Sequence, residues 1–398
     1  MKRLFGLAIA FIAGASLAFV PPCPECNGHE VSGPTEQQQQ GGPAVTSKAA
    51  FLMEANSGRV IMEHAADNKL PIASMVKITT LAVIYDALAN GEIAIDQMVP
   101  VSETAHGMGG SQAFLDAGSE YPVDELIKSI IVASANDSCV AMAELIAGSE
   151  TEFVNRMNAL ATKLGMTNTN YVNATGLPAV GAHSTARDVA TIYTYMMQSE
   201  FYGRHEKTWM YDLTHPGGRV TGLTNTNRHV RFFDGITGGK TGFTAEAGHC
   251  LAVSATRGMV RPVAVVIGSP DSKTRFDETG ALMNHVFGAY TNELVVSRET
   301  VLATARVRGA YNDTVDLFAE RDFYDLVRRG ERVKPTTVVE VNENIRAPFG
   351  ATDSLGTVSV TRDGRAVAEL DLVARIDVEK MNMWDSVRKV VSKYKIAA

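Results

Sequence analysis

The sequence predicts an α+β fold, and three observations carry that prediction. Strand patterns open the folded part at Ala49-Ala50-Phe51-Leu52-Met53 and Arg59-Val60-Ile61, helix patterns fill most of 75–200, and strand patterns return at 238–244, 249–256 and 260–268. Strands at both ends of a helical middle pair most simply as one antiparallel sheet, covered by helices and flanked by a helical lobe. Beyond residue 300 the texture changes to short strands, which predicts a small all-β C-terminal domain.

Each element has its own signal. Asn56-Ser57-Gly58 is a turn between the two opening strands, so they form a hairpin. A long helix begins at Ser74, with Val76, Thr80, Val83, Ile84 and Leu88 near helical spacing, and Asn90-Gly91 stops it. Further helices are expected at 123–135, 138–148, 150–164 and 186–198, and another at 273–290 leads out of the last strand. Val338–Val341, Gly356–Val360 and Ala366–Leu372 read as short strands, with Asp363-Gly364 turning between two of them. No internal repeat is visible.

The chain has 398 residues, enough for one large domain and a smaller one. Its net charge of −7 makes it a poor polyanion binder and argues against nucleic acid as a partner. Met1-Lys2-Arg3, the apolar run Leu4–Val20 and small residues at Ser16 and Ala18 predict an export signal over 1–18. The alternative is an uncleaved anchor, although a run of about 17 residues is at the short limit for a span. Pro22 before Cys23 argues against lipid attachment. Residues 19–45, with Gln37–Gln40 and Gly41-Gly42, read as a flexible linker. An exported chain with four cysteines can form two disulfides in three pairings. Cys23-Pro-Glu-Cys26 lies in the linker, and one CxxC without a second pair is not a zinc site. Cys139 and Cys250 sit in apolar contexts and read as buried packing.

Three short motifs stand in order: Ser74-Met75-Val76-Lys77, Ser134-Ala135-Asn136 and Lys240-Thr241-Gly242. They fall on a helix start, an inter-helix loop and a strand. Serine and lysine three apart on a helix share one face, so the amine reaches the hydroxyl. Serine is a weak nucleophile until a base removes its proton. Lysine serves as that base if burial or a neighbouring cation lowers its pKa, and Lys240 is a candidate for that cation. Lys240 also suits attraction of a substrate carboxylate. The Ser74 backbone N–H, at the helix N-terminus, is free to donate to an oxyanion. Ser134 can relay a proton, Asn136 can hold a substrate amide, and Gly242 leaves the strand bare for close backbone approach. Each motif alone is weak. In this order and on these elements they form the combination known from penicillin-binding proteins and class A β-lactamases.

Over roughly 46–378 the sequence resembles low-molecular-mass penicillin-binding proteins of the D-alanyl-D-alanine carboxypeptidase family. Pro71-Ile72-Ala73-Ser74-Met75-Val76-Lys77 is similar to the family's nucleophile segment, and Ser134-Ala135-Asn136-Asp137 to its second motif. Thr167-Asn168-Thr169, Gly176-Leu177 and His183-Ser184-Thr185-Ala186-Arg187-Asp188 resemble its middle segments. Asp234-Gly235-Ile236, then Gly239-Lys240-Thr241-Gly242-Phe243-Thr244 and Ala247-Gly248, resemble its third. The resemblance implies a β-lactamase/transpeptidase-like catalytic domain over 46–300, a small β-rich domain over 301–378 and a tail over 379–398. It implies that Ser74 is acylated by the penultimate D-alanine of a peptidoglycan pentapeptide, that terminal D-alanine leaves, and that water completes hydrolysis. Lys77 would be the base, with Ser134, Asn136 and Lys240 completing proton transfer and positioning. Thr241 and Arg228 would bind the terminal carboxylate, with Arg231 a neighbouring alternative. Backbone N–H groups of Ser74 and Phe243 would form the oxyanion hole. Phe243 stands where the family often has a polar residue, which leaves the backbone donor but puts any side-chain role in doubt. β-Lactams would be covalent inhibitors, and no cofactor is implied.

The tail puts Trp384, Val387, Val391 and Tyr394 on one helical face, with Arg388, Lys389, Lys393 and Lys395 nearby. Such a helix lies on an anionic membrane or packs on the β domain. The first option, with export, implies a periplasmic or other extracytoplasmic location on the outer face of the cytoplasmic membrane. The nine histidines include no HExxH, and no Cys/His cluster lies in the folded part, so no metal is expected. Three other readings compete. A β-lactamase would carry Glu-x-x-x-Asn between the second and third motifs, and none lies within 137–239. A D,D-endopeptidase uses the same trio but usually without the β domain. A non-catalytic sensor or scaffold would have lost Ser74, Lys77 or Lys240, and all are present.

Overall fold

The computed structural model describes residues 42–331, 335–362 and 364–395. The expected export signal, residues 19–41 of the expected linker with Cys23 and Cys26, and Asp363 of the expected turn lie outside the described residues. So do the side chains of Lys393, Tyr394 and Lys395 in the tail.

β1 (Ala49–Glu54) and β2 (Val60–His64) form the expected antiparallel hairpin. A 3-10 turn at Ala73–Val76 leads into α1 (Lys77–Ala89), so the regular helix starts three residues after Ser74. There follow β3 (Met98–Pro100), α2 (Glu103–His106), β4 (Glu120–Pro122), α3 (Val123–Val132), α4 (Asn136–Ala147), α5 (Glu150–Lys163) and α6 (Ala186–Met196). Side-chain caps set three of these starts: Ser102 accepts from the Ala105 N–H, Ser149 from the Glu152 N–H and Thr185 from the Asp188 N–H. A second hairpin, β5 (Met210–Thr214) and β6 (Val220–Thr224), and the short α7 (His229–Phe232) precede β7 (Ile236–Thr244), β8 (Gly248–Ala255), β9 (Pro262–Ser269) and α8 (Ser272–Ala289).

The main sheet has the order β2-β1-β9-β8-β7, so the opening hairpin pairs with the closing strands through β1 and β9. β9 is buried along its whole length. Period-2 alternation divides its side chains between two cores. Val263, Val265 and Ile267 face the helical lobe with Phe51, Ile78 and Tyr85, whereas Ala264 and Val266 face α8 with Leu52, Leu282 and Met283. β7 is the edge strand, and its outer edge is free of any strand in this sheet.

After α8 come β10 (Tyr290–Val296), β11 (Ala303–Arg306), β12 (Thr314–Ala319), β13 (Phe323–Arg328), β14 (Thr336–Val341), β15 (Gly356–Arg362), β16 (Arg365–Val373) and α9 (Met383–Lys395). β10 pairs with β13, and the others form a sheet of order β11-β12-β16-β15-β14 around Leu317, Val358, Val360, Leu370 and Leu372. The strand patterns expected at 338–341, 356–360 and 366–372 all lie within strands. The hairpin β5–β6 was not anticipated, because each of its strands buries one side chain, Leu213 and Leu223, and leaves no alternation to read. Among the described residues no helix is long and apolar enough to cross a membrane.

Candidate active site

The three motifs converge between the lobe and the sheet edge. Ser74 lies in the 3-10 turn, and Ala73 before it has a φ of +48°, a left-handed conformation that a residue with a Cβ adopts only under constraint. Two glycines press on this turn from either side. A Cβ on Gly176 would stand 2.0 Å from the Ala73 carbonyl oxygen, and one on Gly242 would stand 2.6 Å from the Ile72 carbonyl oxygen. The bare strand at Gly242 therefore serves close approach of the nucleophile turn itself.

Lys77 is fully buried, and its Nζ lies 3.0 Å from Ser74 Oγ and 2.5 Å from the Thr175 carbonyl oxygen. Burial lowers its pKa to about 8, against the opposing influence of Cys139 and Asp137. Lys240 on β7 is also buried, and its Nζ donates to its neighbour's carbonyl, Thr241 O, at 3.2 Å. Burial, then the charge of Lys77, holds Lys240 well below the ordinary lysine range. The sequence leaves two causes open for a lowered Lys77 pKa, burial or the charge of Lys240. Burial is the larger cause for both lysines, and the charge of Lys77 adds to it at Lys240.

The second motif straddles a helix start. Ser134 sits in the α3–α4 connection at φ +60°, whereas Asn136 opens α4. Asn136 Nδ2 donates to the Gly109 carbonyl at 2.7 Å, and its backbone N–H donates to Ser111 O at 2.7 Å. The buried Asp137 carboxylate accepts from the Ala113, Leu115 and Ser138 N–H groups at 2.9–3.1 Å, which ties the 109–115 loop to α4. Ser134 Oγ and Asn136 Oδ1 are buried without a protein partner. A buried polar atom without a partner is costly, and two in one site leave room for a ligand's donors.

Thr241 Oγ1 donates to Thr226 Oγ1 at 2.8 Å, a partner that sequence reasoning missed. Arg228 is exposed at the start of α7, its guanidinium 6.0 Å from the centroid of the Phe232 ring. Arg231 lies over Trp209 and Phe232 at 5.6 and 5.5 Å. No described contact joins either arginine to Thr241. The Phe243 ring turns away to stack on His249, centroids 4.4 Å apart. Cys139 and Cys250 are free and buried, and burial pushes their thiols up to about 12 and about 11, so both remain protonated. Among the described residues no cluster of histidine, cysteine, aspartate or glutamate could hold a metal.

Residues 35–271 match the family described as D-alanyl-D-alanine carboxypeptidase, and residues 290–380 match the penicillin-binding protein 5 C-terminal domain. The chain is 36% identical over 335 residues to the D-alanyl-D-alanine carboxypeptidase DacF of Bacillus subtilis, covering 84% of this chain and 86% of that one. It is 32% identical over 365 residues to DacC of Escherichia coli, covering 88% and 90%. It is also similar to the crystal structure of penicillin binding protein 5 from Haemophilus influenzae, with a TM-score of 0.71, 29% identity, and 85% and 99% of the two chains covered.

Proposed function

The chain belongs to the D-alanyl-D-alanine carboxypeptidase family of low-molecular-mass penicillin-binding proteins, and from that premise we propose how its residues carry out the reaction. It is a serine-type carboxypeptidase that removes the terminal D-alanine of peptidoglycan stem peptides through an acyl-enzyme. The observation that supports our assignment best is the buried Lys77 amine 3.0 Å from Ser74 Oγ.

In this reading Lys77 takes the Ser74 hydroxyl proton as Oγ attacks the carbonyl carbon of the penultimate D-alanine. Negative charge on the carbonyl oxygen meets the Ser74 and Phe243 backbone N–H groups. Collapse breaks the C–N bond, and the proton reaches the departing D-alanine nitrogen by way of Ser134. Water then attacks the ester with the same groups in reverse. Asn136 Oδ1 accepts a substrate amide N–H, and the substrate carboxylate docks at Lys240 and Thr241, with Arg228 as an outer partner. An arriving carboxylate raises the Lys240 pKa again, and a positive charge held on Lys240 favours the unprotonated form of Lys77. β-Lactams would acylate the same Ser74.

The base must be unprotonated, so the rate of acylation should rise with pH up to about 8 and level off above it. Below that point it should fall by about tenfold per pH unit. Release of D-alanine from a peptide ending in Lys-D-Ala-D-Ala, followed from pH 6 to 9.5, measures this. A flat profile would remove Lys77 from the role of base.

We further propose that residues 1–18 export the enzyme and that the tail holds it at the outer face of the cytoplasmic membrane. Supporting the second point, Met383, Trp384, Val387 and Val391 of α9 are exposed. Against a purely electrostatic anchor, Lys389 is engaged by the Ala310 carbonyl and the Asp313 carboxylate at 3.0 and 2.5 Å. Each remaining basic residue near an anionic surface contributes about 1 kcal/mol, less in salt. Deleting 381–398 should release the protein from anionic vesicles and leave hydrolysis of a soluble peptide unchanged. Co-sedimentation of both forms at low and physiological salt tests this, and full-length protein that stays in the supernatant would exclude the anchor. Because β10 pairs with β13, we propose that the β-rich part begins near residue 290, ahead of the 301 read from sequence.

A further inference from the structure

We propose that the groove beside the nucleophile turn is a subsite for a free amine on the stem-peptide residue preceding the scissile D-alanine, with Glu246 as its counter-ion. The proposal rests on the orientation given above, in which the substrate carboxylate docks at Lys240 and Thr241. With the carboxylate at that end and the carbonyl at Ser74 and Phe243, the peptide runs back along the free edge of β7 toward Thr244. An extended peptide on a free edge gains main-chain hydrogen bonds and places alternate side chains in flanking pockets. At about 3.3 Å per residue, the residue before the scissile D-alanine reaches the end of β7 and the turn that holds Glu246.

A groove opens at this point. Ile72 and Ala73 of the nucleophile segment, Gly176 and Leu177 of the facing loop, and Thr244 and Glu246 contribute to its walls. Ile72 and Leu177 offer apolar surface to the methylene stem of a long side chain, whose charged end reaches toward solvent. Glu246 is exposed at this rim, and among the described residues it has no hydrogen-bond or ion-pair partner. It is the one carboxylate in the described lining. An ammonium on a flexible four-carbon stem fits this combination of apolar wall and carboxylate rim.

Two peptides ending in Lys-D-Ala-D-Ala test the proposal, one with the lysine ε-amine free and one with it acetylated. For the wild-type enzyme kcat/KM should favour the free amine by about two- to fivefold, as expected for a partly exposed ion pair, and the preference should shrink as salt is added. Glu246→Gln should bring the ratio close to one, and Glu246→Lys should reverse it. Equal hydrolysis of the two peptides by the wild type, or a preference that survives in Glu246→Gln, overturns the amine subsite and leaves the reaction assignment standing. If penicillin acylates Ser74 but neither peptide is hydrolysed, the substrate orientation is wrong and the subsite falls with it.

Discussion

Ser74→Ala should abolish covalent labelling by a fluorescent penicillin and leave the fold intact. D-Alanine release should fall by a factor on the order of 10⁶, the scale of loss when a serine nucleophile is removed elsewhere. The structural cost is small. The substitution removes one partly buried hydroxyl and one hydrogen-bonding partner of Lys77, whose Nζ keeps the Thr175 carbonyl. The strained Ala73 and the tight packing of Gly176 and Gly242 on this turn do not depend on Oγ. Intact-mass measurement after penicillin treatment and a thermal melt separate the two effects. A penicilloyl adduct on the variant would place the nucleophile at another serine.

Lys77→Arg should lower the acylation rate by about 10²–10⁴-fold, the contribution of a general base, because arginine stays protonated at any working pH. The loss should not be recovered at high pH, which distinguishes a missing base from a shifted one. The larger guanidinium must also enter a fully buried site, and overpacking of this kind costs about 1–3 kcal/mol. A lower melting temperature is therefore expected alongside the rate loss. Lys77→Met, which is close in length, gives the same test without added bulk and should lose acylation as well. Acylation near the wild-type rate in either variant would transfer the role of base to another group.

Much of the fold was legible because its signals are local. The opening hairpin carried a turn signal, the helices of 123–196 carried caps and apolar spacing, and β9 was a nearly continuous apolar run. The elements that escaped have weak local signals. β10 follows α8 without a break, and β5 and β6 bury one residue each.

The site divides in the same way. Ser74, Lys77, Ser134, Asn136, Lys240, Thr241 and Gly242 were nameable from sequence because three motifs in one order are improbable together. Their separation along the chain says nothing about distance, so only tertiary packing buried Lys77 and Lys240 and set the charge of Lys77 close enough to lower the Lys240 pKa. The same packing sets the Arg228 guanidinium beside the Phe232 ring. The partners that hold the motifs were invisible for a physical reason: the carbonyls of Thr175 and Gly109, and the N–H groups of Ala113 and Leu115, are backbone groups that every residue type presents. Thr226 and Glu246 carry side chains, but a threonine or glutamate outside a motif signals nothing until the fold sets it beside β7. The sequence by itself singled out the candidate groups for the chemistry and the kinds of element on which they stand. The tertiary structure decided their burial, their backbone anchors and the glycine contacts that seat the nucleophile turn, since these arise from close approach between segments far apart in the chain.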